Sequence, residues 1–205
     1  HIGSQIFDSQ IYMSSSEIML EFIADVKKKL GFEAQILDLG GGYGVRYIEA
    51  NPYIDIDKNI KELADFMKNL VSQLGINMPK ICLEPGRSIV ADAGLTLYTA
   101  GTVKKIPGYK NYVSIDGGMT DNPRYTLYEA PYTVMLASRP NDNKDFVATI
   151  AGRCCESGDI IQENVKLPKP QRNEILAVLT TGAYNYSMSS NYNRLGKPPV
   201  VMLRK

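Results

Sequence analysis

Cysteine is scarce in this sequence. Cys82, Cys154 and Cys155 are the whole supply in 205 residues. That is too few for a disulfide framework, and no CxxC pair offers the spacing of a metal site, so a reducing cytoplasm is the expected setting. Charge of one sign is equally scarce: 23 Lys and Arg against 22 Asp and Glu leave a formal net charge of +1. The two signs are mixed along the chain, so no nucleic-acid-binding face and no acidic tail are expected. No apolar run approaches the roughly 20 residues that cross a bilayer, which argues against a membrane protein. A signal-peptide pattern, internal repeats and low-complexity tracts are missing too. So is an initiator methionine: His1-Ile2-Gly3-Ser4-Gln5 reads like the interior of a folded domain, and a fragment is expected. What is present, 44% apolar and 22% charged residues, fits a soluble globular chain with room for one large domain or two small ones.

The first half alternates short apolar strands with amphipathic helices. Ser14 and Glu17 form a capping-box pattern, followed by Ile18, Phe22, Ile23, Val26 and Leu30 at helical spacing and by Gly31 as a C-cap. Residues 35–39 predict a short buried strand. A second helix is expected over about 57–74, with Ile60, Leu63, Phe66, Met67 and Leu70 on one face and Gly75 past its end. Residues 80–83 predict another strand and 88–93 a short helix. This alternation points to parallel strands covered by helices. From Leu95 the pattern becomes strand-rich, with strands expected at 95–103, 112–115, 132–136, 146–150, 174–180 and 200–203. An α/β unit over residues 1–93 and an all-β domain over 94–205 follow.

Leu37-Asp38-Leu39-Gly40-Gly41-Gly42-Tyr43-Gly44 is a strand running into a glycine-rich turn. Glycine lets backbone approach a ligand and aim N–H groups at an anion. The dinucleotide fingerprint GxGxxG fails, because Val45 holds the third glycine position. A tight turn without a ligand and the first motif of S-adenosylmethionine-dependent methyltransferases both remain open for this run taken alone. Glu84-Pro85-Gly86-Arg87, at the end of the next strand and before a short helix, is a second anion-binding pattern. A methyltransferase needs neither this second anion site nor an all-β second half.

His1-Ile2-Gly3-Ser4-Gln5, the Leu-Asp-Leu-Gly-Gly-Gly run, Glu84-Pro85-Gly86-Arg87, Cys155-Glu156-Ser157-Gly158-Asp159 and Gly182-Ala183-Tyr184 occur in that order. Together they resemble the fold-type III decarboxylases that use pyridoxal 5'-phosphate, most closely the branch acting on diaminopimelate. The resemblance implies the C-terminal half of a TIM-type (β/α)8 barrel followed by the β domain, and a homodimer with active sites at the subunit interface. It implies that His1 stacks on the cofactor ring and that Glu84 hydrogen-bonds the pyridine nitrogen. Ser4, Gly41, Gly42, Gly86, Arg87 and Tyr184 would surround the phosphate. A small amino-acid substrate would be held by Arg87, Arg124, Tyr128 and Glu156, with residues 121–128 as a substrate-binding strand. Cys155 would deliver a proton after CO2 leaves. Decarboxylases of other basic amino acids or polyamine precursors, and a non-catalytic relative that only binds the cofactor, are the alternatives on the same fold.

Departures from the family are specific. Its cofactor-linking lysine lies in an early barrel segment that would precede His1, so residues 1–205 alone are expected to be inactive. Cys154 stands where the family more often has an aliphatic residue, and Arg153 where it often has proline. Residues 194–198 depart from the usual arginine-proline pattern, and the end at Lys205 looks early.

Overall fold

The computed structural model describes residues 1–204. The chain divides into two compact units, one made of His1–Arg46 and Ala50–Ile89, the other of Tyr47–Glu49 and the residues from Val90 on.

The first unit pairs two strands with two helices. Helix α1 (Ser9–Leu30) starts where the Asp8 side chain accepts the Gln10 N–H at 2.9 Å, and it ends at Gly31 in the left-handed region. The expected start at Ser14 is therefore corrected: Asp8 supplies the cap, and Ser14 lies inside the helix. The buried face also differs. Tyr12, Ser16, Leu20 and Ile23 turn inward, whereas Ile18, Phe22 and Leu30 are exposed. The helix is apolar on two faces, and periodicity alone could not rank them. Strand β1 (Ile36–Asp38) follows, then α2 (Ile56–Leu74), capped by Asp55 and closed by Gly75. Leu63, Met67 and Val71 bury one stripe of α2, while Ile60 is exposed. Strand β2 (Lys80–Cys82) lies parallel to β1, Leu37 opposite Ile81. Leu37 and Leu39 are buried but Ile36 is exposed, so β1 is covered on one face only. Helix α3 (Arg87–Val90) is a single turn, shorter than the 88–93 expected.

The second unit is built on a six-stranded sheet. Its strands are β3 (Leu95–Lys105), β4 (Asn111–Ile115), β5 (Val134–Leu136), β6 (Phe146–Ala151), β7 (Ile160–Leu167) and β8 (Ile175–Leu179). They run in the order β5-β8-β3-β4-β6-β7, antiparallel except for β4 beside β6. Strand β3 serves two neighbours: Leu95–Thr99 pairs with β8, and Ala100 to Lys105 pairs with β4 across a bulge. At that bulge Gly101 presses on Ser114, whose hydroxyl accepts the Thr102 N–H at 2.8 Å. Val113, Leu136, Ile150, Ile161, Leu167, Leu176 and Val178 are fully buried, each contributing about 1.5–3 kcal/mol of burial.

Three expectations fail here. Strand β7 was not foreseen, because Gln162, Glu163 and Asn164 interrupt its apolar pattern. Residues 200–203 form no strand and their side chains are exposed. The expected substrate-binding strand is instead the short helix α4 (Arg124–Tyr128), entered from Pro123 and closed by Glu129 in the left-handed region. With α4 and a second short helix, α5 (Asn185–Met188), the unit is not purely β. Among the described residues no helix is long and apolar enough to cross a membrane.

Candidate active site

Seven of the residues singled out in the sequence lie at the C-terminal ends of β1 and β2. The parallel ladder continues past both strands, with Leu39 N–H donating to Cys82 O at 3.1 Å and Glu84 N–H to Gly40 O at 2.9 Å. On the other side Ile6 N–H donates to Gly42 O, and Gly44 N–H to Ile6 O, each at 2.9 Å. Three chain segments therefore meet backbone to backbone. A Cβ on Gly40 would lie 2.6 Å from His1 Cα, one on Gly41 2.1 Å from Glu84 O, and one on Gly42 2.4 Å from Gly3 O. The glycine run is required by this convergence, and Gly42 at φ +107 also needs the freedom only glycine has.

On this platform the Gly41 N–H donates to His1 Nδ1 at 3.2 Å, which fixes that nitrogen as the imidazole's acceptor. The Arg87 guanidinium is buried at 9% exposure and donates to the Ser4 hydroxyl at 3.0 Å. Glu84 and Gly86 are exposed beside it. Guanidinium, hydroxyl, imidazole and main-chain amides make a donor-rich set around one exposed carboxylate, which suits a phosphate next to a group carrying a basic nitrogen. The residues present fit a phosphorylated pyridine cofactor.

In the second unit α4 buries Arg124, whose guanidinium lies 5.7 Å from the ring centres of both Tyr128 and Tyr184. Tyr184 has a left-handed backbone at the start of α5. Two further residues belong to this group. Tyr132 is buried and donates to Asn185 Oδ1 at 3.3 Å; burial pushes its phenol up, and the charge of Arg124 counters part of that. Neither Tyr132 nor Asn185 was singled out from the sequence, because each reads as an ordinary strand or loop residue.

Cys155 and Glu156 stand at the tip of the turn joining β6 to β7, and both are exposed. Cys155 has φ +59, uncommon for a residue with a side chain. The Glu156 carboxylate accepts a hydrogen bond from the Tyr192 phenol, which raises the tyrosine's pKa. Thr126 of α4 donates to Gly158 O at 2.6 Å, so α4 and the tip are tied together. Both departures at this tip have structural reasons. Cys154 is fully buried and its thiol is pushed up by that burial, so it packs as a small apolar side chain would. Arg153 donates its N–H to Gly117 O at 3.1 Å, a bond proline could not make.

Comparison with known proteins adds a history to this geometry. Residues 1–91 match the family described as pyridoxal-dependent decarboxylase, pyridoxal binding domain. The diaminopimelate decarboxylase of Staphylococcus aureus (strain COL) is 47% identical over 205 residues, all of this chain and 48% of that protein. The crystal structure of the diaminopimelate decarboxylase of M. jannaschii with L-lysine superposes with a TM-score of 0.85 at 35% identity, over 97% of this chain and 44% of that one. The lysine/ornithine decarboxylase of Vibrio vulnificus with cadaverine reaches a TM-score of 0.86 at 21% identity, over 100% and 54%, a likeness of fold alone. The chain thus spans about half the length of the relatives it matches. These likenesses set the glycine run apart from the methyltransferase reading: residues 1–91 match the pyridoxal binding domain of the pyridoxal-dependent decarboxylases, and the chain along its length is similar to diaminopimelate decarboxylases.

Proposed function

We propose that the protein to which this chain belongs decarboxylates meso-diaminopimelate to L-lysine in the cytoplasm, as a homodimer carrying pyridoxal 5'-phosphate. The observation that carries this reading is the 47% identity to a diaminopimelate decarboxylase maintained over all 205 residues. Fold alone would not choose the substrate, since a lysine/ornithine decarboxylase shares it. In this reading β1, β2, α1 and α2 are part of the C-terminal half of a (β/α)8 barrel, and the six-stranded sheet is the family's β domain. The exposed Ile11, Ile18 and Phe22 of α1 would be covered by the rest of the barrel.

Bound, the cofactor supplies an electron-poor ring that takes up the electron pair released when CO2 departs. Every other task falls to the chain. Arg87, Ser4, Gly86 and the main chain at Gly42 would hold the phosphate, while the Gly41 N–H is given to His1 Nδ1. Glu84 would keep the cofactor's pyridine nitrogen protonated, and the His1 imidazole, oriented by the Gly41 amide, would face its ring. Arg124 between its two tyrosines offers a planar fork for a substrate carboxylate, a task the ammonium of lysine performs less well. The Cys155 thiol gives its proton to the carbon that has lost CO2, and Glu156 receives the distal ammonium group, both acting in the partner subunit's site. The test is CO2 release and lysine formation by the full-length protein with cofactor, offered diaminopimelate, lysine, ornithine and arginine in turn. Turnover of diaminopimelate alone is expected. Equal turnover of lysine or ornithine removes the substrate assignment, and activity in residues 1–205 alone removes the reading of the chain as an incomplete site.

A further inference from the structure

The exposed tip at Cys155 and Glu156 is not a free loop, and the residue that holds it carries no role so far. Asp159 lies directly behind the tip at 4% exposure. One carboxylate oxygen accepts the Met119 N–H at 2.6 Å and the other accepts the Cys154 N–H at 2.6 Å. Its own N–H donates to Glu156 O at 3.1 Å, and its carbonyl accepts from Gly152 N–H at 2.8 Å. One residue thus closes the 152–159 turn on itself and fastens it to the neighbouring 117–121 turn.

The packing leaves this carboxylate little choice. A Cβ on Gly118 would lie 2.4 Å from Asp159 Oδ1, and one on Gly152 would lie 2.3 Å from both its oxygens. Main chain therefore presses on the carboxylate from two sides, and the short charge-assisted bonds are enforced rather than incidental. Between those fixed points Cys155 adopts its left-handed backbone, a conformation that costs about 1 kcal/mol or more and persists only where the surroundings dictate it.

We propose that Asp159 is the positioning residue of the Cys155-Glu156 tip: by receiving the Met119 and Cys154 amides it sets the backbone that presents the thiol and the Glu156 carboxylate. This rests on the function proposed above for the tip. Asp159 touches no substrate and acts through Cys155.

The test uses the full-length protein with Asp159→Asn, in which an NH2 group replaces one acceptor and faces an amide donor. A misplaced tip predicts a kcat for diaminopimelate lower by roughly ten- to hundredfold. Cofactor affinity stays within about twofold, because no residue touching the cofactor has moved, whereas KM rises because the Glu156 carboxylate shifts with the tip. Alkylation of Cys155 by iodoacetamide, followed by peptide mass mapping, becomes faster as the tip is released. Asp159→Glu does not rescue kcat, because the longer side chain has no room between Gly118 and Gly152. A folded Asp159→Asn protein with unchanged kcat and unchanged Cys155 alkylation overturns the proposal. Should that variant fail to fold, amide hydrogen exchange in the unmutated protein decides: Met119 and Cys154 protected together support the clamp, and rapid exchange at either removes it. Alkylation and exchange read the clamp even if diaminopimelate is not the substrate, so the two conclusions fail separately.

Discussion

Three consecutive glycines let the loops of the first unit meet main chain to main chain, whereas in the second unit, where Gly94 and Gly182 meet in the same way, the 152–159 turn is held by a buried side chain. A Cβ on Gly40, Gly41 or Gly42 would lie within 2.6 Å of a main-chain atom of a neighbouring segment. In the second unit the Asp159 carboxylate is itself the strut, with each oxygen accepting a named amide, and buried Arg124 lies against the rings of Tyr128 and Tyr184. The difference has a practical meaning. A backbone-built platform is insensitive to pH but intolerant of any added atom. A side-chain-built one is just as closed to bulk where main chain presses on the strut, as at Gly118 and Gly152, and it also fails when a single oxygen or charge is lost.

The largest effect that separates the two is expected from Gly41→Ala. Its new methyl would overlap Glu84 O, and the two loops must part, at a cost of about 3 kcal/mol. Thermal midpoint and cofactor affinity of the full-length protein should both fall. Gly31→Ala is the control. Its φ is +68 but nothing lies within 4 Å, so about 1 kcal/mol is expected, with cofactor affinity unchanged. Equal losses at both positions would erase the distinction drawn here.

Next in size is Cys155→Ala, expected to lower kcat about 10²-fold while leaving cofactor binding and thermal midpoint in place, because the role proposed for the thiol is proton delivery and its side chain is exposed. Cys154→Ala should do the reverse, lowering the midpoint and sparing kcat, since its side chain is fully buried. Steady-state kinetics and a melting curve on each variant separate the two neighbours.

The smallest effect concerns a side-chain strut away from the site. Arg139 grips Glu174 with Nε to Oε1 at 2.9 Å and Nη2 to Oε2 at 3.0 Å, joining the end of β5 to the start of β8. This pairing holds the Glu174 carboxyl below its ordinary value. A depressed acid stabilises the fold above the unfolded value of about 4.3, and that contribution disappears as pH falls through the lower folded value. The pair is partly exposed, so about 1 kcal/mol is expected at neutral pH from Glu174→Gln. The difference in melting temperature between wild type and variant should shrink as the pH is lowered below 4. A difference independent of pH would assign it to packing.

The same contrast explains what the sequence disclosed. The glycine run and the Glu84–Arg87 string could be read because backbone convergence leaves a compositional mark that few other arrangements leave. Both helix C-caps, Gly31 and Gly75, were legible for a different reason, the left-handed backbone that glycine adopts freely. Side-chain struts leave no such mark. Asp159 was quoted inside a motif without a role, and Tyr132, Asn185 and Tyr192 passed unnoticed, since a buried acid or phenol in a strand-rich stretch looks like any polar residue. Strand β7 was hidden by Gln162-Glu163-Asn164, and the helix at Arg124 by a family likeness that suggested a strand. The start of α1 was misplaced because the Ser14-Glu17 pair has the residues of a capping box but lies inside a helix that Asp8 caps. Which residues share a site depends on contacts forty positions apart, as between His1 and Gly41, and no local pattern encodes that.

The parallel pair β1 and β2 has a consequence for anyone handling these 205 residues by themselves. Among the described residues the pair forms a two-stranded sheet, with no further strand laddered along either outer edge, and Ile36 stands exposed on β1. Open edges flanked by apolar side chains are templates for adding strands from another molecule. The chain in isolation is therefore a candidate for concentration-dependent self-association. Light scattering that rises with protein concentration, and subsides when Ile36 is replaced by a charged residue, would be the outward sign of such edge-to-edge association.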